Sequence, residues 1–287
     1  MNLSDSVQQS QCMNDDHAIE RLAGALLQAF DTSGLIAPPS LCDIGFDLNK
    51  GYQVGRILHE LLVERGFRAV GRKIGFTNPV TWKEFNLDTP IWAHMYSQTV
   101  YFAQQSRMQL NLSGMVSPRI EPEIVLKLGR PVVGGDNPPE DLAECLEWVA
   151  IGFEIVDCHF PGWQFTAADA VADFGVHAAL VIGAPLIVER SDLQMLPNKL
   201  QQLRVTLTLG SEIVAEGEGR NALGSPILAL GHLSRAISAL PWAPPLGVGE
   251  IITTGTLTPL PYIHRGECWK VEVAGAPLGS LLLDLSD

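Results

Sequence analysis

Two glutamates one residue apart, Glu121 and Glu123, stand in the apolar run Pro118-Arg119-Ile120-Glu121-Pro122-Glu123-Ile124-Val125-Leu126. The run reads as a β-strand, and alternate residues of a strand point to one face. The two carboxylates therefore project together, while Ile120, Ile124 and Leu126 anchor the strand. Neighbouring carboxylates in apolar surroundings repel, and need a cation or a shared proton. A third acid, Glu154, lies inside Ile151-Gly152-Phe153-Glu154-Ile155-Val156, a second apolar strand in which a charge also needs a partner. Three carboxylates around one point suit a hard divalent cation, Mg²⁺ or Mn²⁺. Such an ion keeps open positions, which a chelating 2-oxo acid and water can fill. The spacing also admits a wetted strand face, with Glu154 paired to an arginine.

Two further segments offer charge and hydrogen bonds. Lys73, in Gly71-Arg72-Lys73-Ile74-Gly75-Phe76-Thr77-Asn78-Pro79, lies on a strand that ends in a glycine-rich turn. From there an ammonium can enter a cleft and hold a carboxylate or polarise a carbonyl, or it can remain a solvated edge lysine. In Ile252-Thr253-Thr254-Gly255-Thr256-Leu257-Thr258-Pro259 a strand runs into a turn rich in hydroxyls. The backbone N–H groups there, with Thr254, Gly255 and Thr256, can grip an anionic oxygen, or the segment is an ordinary strand exit.

The elements that must position these groups follow from periodicity. Ile19, Leu22, Ala23, Leu26, Leu27 and Phe30 repeat at helical spacing, with Asn14 or Asp15 as cap and Gly34 beyond the end. A second helix is expected over about Asn49 to Arg65, closed by Gly66, and the linker Ala37-Pro38-Pro39-Ser40 joins the two. Beyond Gly66, β-type runs dominate: Ala69–Phe76, Thr99–Phe102, Glu121–Leu128, Trp148–Val156, Ala179–Val188, Arg204–Leu209, Glu212–Glu216, Glu250–Thr254, Trp269–Val273 and Ser280–Leu285. Helical inserts are expected after Asn78-Pro79, over Pro139 to Glu147, and over Ser225 to Leu240. The order is not a regular βαβ alternation, so the expected fold class is α+β, a β-rich mixed-sheet roll. Residues 1–66 form a helical N-terminal portion packed on a β-rich catalytic domain, 67–287.

Composition excludes several functions. The chain has 287 residues with 19 Lys+Arg against 32 Asp+Glu, a net charge of −13. Such a chain lacks the clustered basic residues that nucleic acid or an anionic membrane surface requires. An anionic substrate must then meet a metal ion or a placed Lys or Arg. The longest apolar stretch, Ala178 to Val188, is broken by Gly183 and Pro185 and is too short to span a bilayer. The N-terminus has no secretory pattern, and the first dozen residues are polar and expected to fray. Five scattered cysteines without a CxxC (Cys12, Cys42, Cys145, Cys158, Cys268) point to free thiols in the cytoplasm.

Six strings occur together and in order: GRKIGFTNP, PRIEPEIVLKL, GFEIVD, DAVAD, LGSPILAL and GEIITTGTLTP. This set resembles the 2-keto-4-pentenoate hydratase and 4-oxalocrotonate decarboxylase group of the fumarylacetoacetate hydrolase superfamily, over nearly the whole chain. The resemblance implies Mg²⁺ or Mn²⁺ on Glu121, Glu123 and Glu154, a 2-oxo acid substrate, and Lys73 as the group's lysine. It also implies assembly into homo-oligomers, with association with a related hydratase or decarboxylase subunit as a further possibility. The expected activity is a hydratase that adds water to an unsaturated 2-oxo or 2-hydroxydienoate acid in aromatic-compound breakdown. The alternatives are a decarboxylase of an oxalocrotonate-like diacid, a C–C bond hydrolase, and a non-catalytic partner subunit. One departure stands out. Where the hydratases usually continue Asn-Ala-Ser, this chain reads Asp173-Phe174-Gly175-Val176-His177. Phe174 then becomes a candidate substrate contact, and His177 a candidate general acid or base or else a packed histidine.

Overall fold

The computed structural model describes residues 3–287, with side chains from His17 onward. Cys12 and the cap candidates Asn14 and Asp15 lie outside the described side chains. Helix α1 (Leu3–Thr32) already runs through positions 14 and 15, so neither begins it. It closes through Ser33 at φ 52°, where the Gly34 N–H donates to the Ala29 carbonyl at 2.9 Å. The expected linker carries the single turn α2 (Pro39–Cys42). Helix α3 (Leu48–Glu64) is capped by Asp47, whose side chain accepts from the Lys50 N–H at 3.0 Å. Its face of Tyr52, Val54, Leu58 and Leu62 is buried.

The rest of the chain alternates strands with short helices. In order come β1 (Ala69–Gly75), α4 (Trp82–Phe85), β2 (Ile91–Tyr96), β3 (Val100–Phe102), β4 (Arg107–Asn111) and β5 (Arg119–Leu128). Then follow α5 (Pro139–Glu144), β6 (Leu146–Val156), α6 (Ala167–Ala172), β7 (His177–Ile182) and β8 (Leu186–Ile187). The chain ends with α7 (Leu196–Gln202), β9 (Arg204–Leu209), β10 (Glu212–Glu218), α8 (Pro226–Ser238), β11 (Ile251–Thr253), β12 (Cys268–Ala274) and β13 (Ser280–Ser286). The expected run Ala179–Val188 is two strands, because Gly183 and Pro185 interrupt it and proline offers no ladder N–H. Strands β2 and β4 and helices α6 and α7 add to the expected set.

Two mixed sheets result. The larger follows the order β2-β1-β11-β5-β6-β7-β3, with β8 also on β6; the smaller is β10-β9-β12-β13-β4. In the larger sheet β1 runs parallel to β11, and β3 to β7, while the other neighbours are antiparallel. One face of its central strands carries Ile74, Ile120, Ile124, Leu126, Val149, Ile151, Phe153 and Ile155, all buried in the main core.

Helix α6 links the N-terminal helices to that sheet. Thr166 and Asp169 cap it reciprocally, and Asp169 also accepts from the Ser40 N–H (2.9 Å) and hydroxyl (2.6 Å). Gly51 of α3 lies so close to the Ala168 carbonyl that a Cβ would collide with it. The helical portion thus braces α6, and α6 leads directly into the Gly175–His177 segment beside the carboxylates.

Candidate metal centre and active-site cleft

Strands β5 and β6 bring the three glutamates together. Glu121 is paired across the ladder with Glu154, and Glu123 with Gly152, so all three carboxylates share one face. One oxygen of each lies within 4.8 Å of the other two. Glu123 and Glu154 are fully buried, and Glu121 is 9% exposed. Burial of charge at this density is costly unless an opposite charge is present.

Lys73 on β1 supplies one such charge. It is 3% exposed, so it is not a solvated edge lysine. Its Nζ lies 3.4 Å from Glu154 Oε1 and donates to the Gly175 carbonyl at 3.1 Å. Gly175 has φ 62°, and a Cβ there would press on Ala93 and the Lys73 stem, so this close approach requires glycine. Burial pushes the ammonium down, but Glu154, Glu121 and Glu123 more than reverse this and keep it charged.

The three carboxylates are not equivalent. Burial alone would raise Glu154, but Lys73 and the His177 hydrogen bond hold it below its ordinary value. Burial raises Glu121 to about 7, with Glu154 adding to the rise against Lys73 and Arg119. Burial, then Glu154 and Glu121, push Glu123 well above the carboxylate range. Glu123 Oε2 accepts the Gly255 N–H at 2.6 Å, while its Oε1 is buried with no partner. Gly255 has φ 96°, and a Cβ there would overlap Thr77. Three oxygen donors formally sum to −3 and Lys73 adds +1, leaving −2 for a divalent cation to balance. The orphaned Glu123 oxygen and the raised pair match such an ion.

A cleft of about 780 Å³ opens on this group. Its walls include Lys73, Glu121, Gly255, Thr256, Val176, Trp163 and Arg119. The other expected site residues turn their side chains to different partners. Thr254 is fully buried, and its hydroxyl donates to the Ile124 carbonyl at 2.9 Å. Thr256 lines the cleft, but its hydroxyl donates to the Thr258 carbonyl at 2.8 Å. Phe174 is turned away by left-handed residues on both sides of Gly175, and packs on Phe30 with ring centroids 5.1 Å apart. His177 is not a cleft residue. Its Nδ1 lies 2.9 Å from Glu154 Oε1 and its Nε2 lies 2.9 Å from the Thr99 hydroxyl, so it backs the carboxylate from behind.

Sequence reasoning missed Arg119, Trp163, Thr99 and Thr253. The i−2 rule that paired Glu121 with Glu123 would have placed Arg119 on the same face. Thr253 Oγ1 approaches Glu154 Oε2 at 3.4 Å from β11, a long-range pairing with no local signal.

Residues 65–282 match the fumarylacetoacetate hydrolase C-terminal family. The chain belongs to this family. A relative within it, the 2-keto-4-pentenoate hydratase of Paraburkholderia phymatum (strain DSM 17167 / CIP 108236 / LMG 21445 / STM815), is 30% identical over 277 residues, covering 96% of this chain and 100% of the relative. A 4-oxalocrotonate decarboxylase from Pseudomonas sp is 29% identical over 263 residues, covering 92% and 96%. Among solved structures, the 4-oxalocrotonate decarboxylase from Pseudomonas putida G7, complexed with magnesium and adipate, superposes with a TM-score of 0.85 at 21% identity, covering 94% of this chain and 97% of that one. The fumarylacetoacetate hydrolase fold accounts for the helical start and the folded-over sheets.

Proposed function

We propose that the chain is a divalent-metal-dependent lyase, a hydratase that adds water to an unsaturated 2-oxo acid in its 2-hydroxydienoate form. The observation that carries this reading is the buried Glu121–Glu123–Glu154 group with Lys73, at the head of a cleft sized for a small organic acid. Hydratase relatives spanning nearly the whole chain support it. In this reading Glu121, Glu123 and Glu154 hold Mg²⁺ or Mn²⁺ through oxygen. When bound, the ion supplies Lewis-acid stabilisation of negative charge on the substrate's 2-oxygen.

The chain's own groups do the rest. Lys73 supplies the counter-charge for the substrate carboxylate or the enolate oxygen, from a site where water does not screen it. The Gly255 N–H and the His177 imidazole fix the orientations of Glu123 and Glu154. Trp163, Phe165 and Val176 keep the cleft walls apolar around the hydrocarbon part of the substrate. Water then adds across the remaining double bond, a proton to one carbon and hydroxide to the other.

The decarboxylase reading uses the same groups and is favoured by the relative of that name. Hydrolytic C–C cleavage would need a base beside an attacking water, and His177 is engaged behind Glu154 instead. A non-catalytic subunit would have no need of the intact Lys73 and three glutamates. Residues 1–66 serve in this reading as a helical support for the catalytic part, 67–287. Homo-oligomer formation belongs to it as well: Phe102 and Ile187, exposed at the β3 and β8 end of the large sheet, are apolar surface that a second copy, or a related subunit, would cover. No described helix is long and apolar enough to cross a membrane, and a cytoplasmic location is part of the proposal.

The test is loss of ultraviolet absorbance of 2-hydroxypenta-2,4-dienoate, with mass spectrometry of the product. The expected result is Mg²⁺- or Mn²⁺-dependent gain of one water, abolished by chelator. Carbon dioxide release from an oxalocrotonate-like diacid with no hydration would move the assignment to the decarboxylase. No metal-dependent turnover of either substrate would refute it.

A further inference from the structure

Three successive residues between α6 and β7, Phe174, Gly175 and Val176, are left-handed, at φ 55°, 62° and 54°. Glycine takes this region freely, but a bulky Phe and above all a β-branched Val do not. Backbone of this kind persists only where its surroundings hold it. The run matters because the Gly175 carbonyl at its centre accepts from Lys73 Nζ at 3.1 Å. An ammonium has three N–H groups. Glu154 and Gly175 hold Lys73 from two sides, which leaves the third N–H for the substrate.

A buried pair that the metal chemistry does not use holds the run in place. Asp173, the residue before it, is 1% exposed, and His159 is 6% exposed. Asp173 Oδ1 accepts from His159 Nδ1 at 2.8 Å, and its Oδ2 accepts the His159 backbone N–H at 3.2 Å. With the side chain fixed at both oxygens, the Asp173 carbonyl accepts the Val176 N–H at 2.7 Å and closes the turn. The Val176 carbonyl in turn accepts the Asp157 N–H at 2.9 Å. His159 is fastened on its other side as well, where its carbonyl accepts the Ile36 N–H of the N-terminal portion at 2.8 Å. Neither His159 nor Asp173 lines the cleft.

Resting on the reading of Lys73 as the counter-charge for the substrate, we infer that His159 is a positioning residue for that lysine and acts through Asp173. The His159–Asp173 pair keeps the run left-handed. The run keeps the Gly175 carbonyl against Lys73, and the carbonyl keeps the ammonium aimed at the cleft. Loss of the pair frees Phe174 and Val176 to relax toward ordinary backbone, and the carbonyl turns away. The result is a misdirected Lys73 beside three glutamates that are still in place.

The test compares two amides at position 159 in metal-dependent turnover of whichever substrate the wild type accepts, the dienoate or the diacid. The side-chain nitrogen of Asn falls where Nδ1 stands, whereas that of Gln falls further out, where Nε2 stands. H159N should therefore keep kcat/KM within about threefold of wild type, and H159Q should lose about tenfold. Mg²⁺ affinity by calorimetry should be the same in all three proteins. In the K73M background H159Q should change kcat/KM by less than about twofold, because the group it positions is gone. Asp173→Asn turns an amide donor toward one of the two His159 donors. It should repeat the H159Q result, and it carries the comparison where H159Q does not fold. Wild-type kinetics in folded H159Q, or equal losses in H159N and H159Q, would overturn the assignment and leave the lyase reading intact. So would a further loss of about tenfold on top of K73M, or a fall in Mg²⁺ affinity. No metal-dependent turnover of either substrate by wild type would refute the lyase reading and this inference with it.

Discussion

Arg72 and Lys73 are neighbours on β1, each 3% exposed, and they point to opposite faces of the same sheet. Lys73 meets three carboxylates and a cleft. Arg72 meets the Trp92 ring at 5.3 Å, a single acid, Glu250, at 3.4 Å, and two histidines that stack with ring centres 3.9 Å apart. Those histidines are neutral. Burial, then His59 and Arg72, push His94 down to about 3, and burial lowers His59 as well. The formal balance on the Arg72 side is therefore zero, one guanidinium against Glu250. On the Lys73 side it is −2, with an unpartnered carboxylate oxygen. A buried region with balanced charge needs no counter-ion, although Arg72 Nε and Nη1 and the Trp92 indole N–H find no hydrogen-bond partner there. One with an excess of two negative charges beside an open cleft is built for something that arrives later.

The contrast breaks most sharply at Glu123. Replacement by Gln removes a charge and a ligand oxygen while keeping shape and the Gly255 hydrogen bond. Metal affinity should fall by about a hundredfold or more by titration calorimetry, with the fold retained. Unchanged affinity would remove Glu123 from the site. Next in size is Lys73→Met, which keeps the apolar stem and loses the charge. It should lower kcat/KM by about ten- to hundredfold, mainly in kcat if Lys73 acts on the enolate and mainly in KM if it only holds the carboxylate. Unchanged kinetics would leave Lys73 a purely structural ion-pair partner of Glu154.

Arg72→Met sharpens the other side of the comparison. It should cost about 1–3 kcal/mol of stability by denaturant unfolding, from the lost cation–π contact and the ion pair with partly exposed Glu250, and leave metal affinity unchanged. A large change in metal binding would show that the two faces are coupled. The smallest expected effect is in pH. Glu121 and Glu123 are raised above their ordinary value in the metal-free fold, so the native state holds protons that the unfolded chain has already released. Stability of the metal-free protein then falls as pH rises from about 5 to about 8. A bound cation replaces those protons, so the rise in Tm on adding Mn²⁺ should grow over the same range. A metal-induced shift that does not vary with pH would contradict this ordering of the carboxylates.

Much of the candidate metal centre was legible because it depends on local rules. Strand alternation put Glu121 and Glu123 on one face, and Glu154 stood out as a charge in an apolar strand. Lys73 was legible as a strand lysine between glycines, though not as a buried one. The unread parts depend on tertiary pairing. Thr254 and His177 turn to Ile124 and Glu154, partners on strands far away in sequence, and Phe174 is redirected by a local reversal at Gly175 that its own residue type does not reveal. Helix α6 is only six residues long, too short for a periodic signal, although Thr166-Ala167-Ala168-Asp169 carries its capping box. Strand β2 escaped notice because its aromatic and histidine residues, Trp92, His94 and Tyr96, pair with β1 and α3 rather than showing a polar face.

The central claim is that Glu121, Glu123 and Glu154 together hold one divalent cation. Crystals soaked in Mn²⁺ and measured by anomalous diffraction test it directly. The account predicts a single strong peak within about 2.0–2.3 Å of an oxygen from each of the three carboxylates, and its loss in Glu123→Gln crystals. A peak bound elsewhere, or none at a Mn²⁺ concentration that saturates the protein in solution, would contradict it.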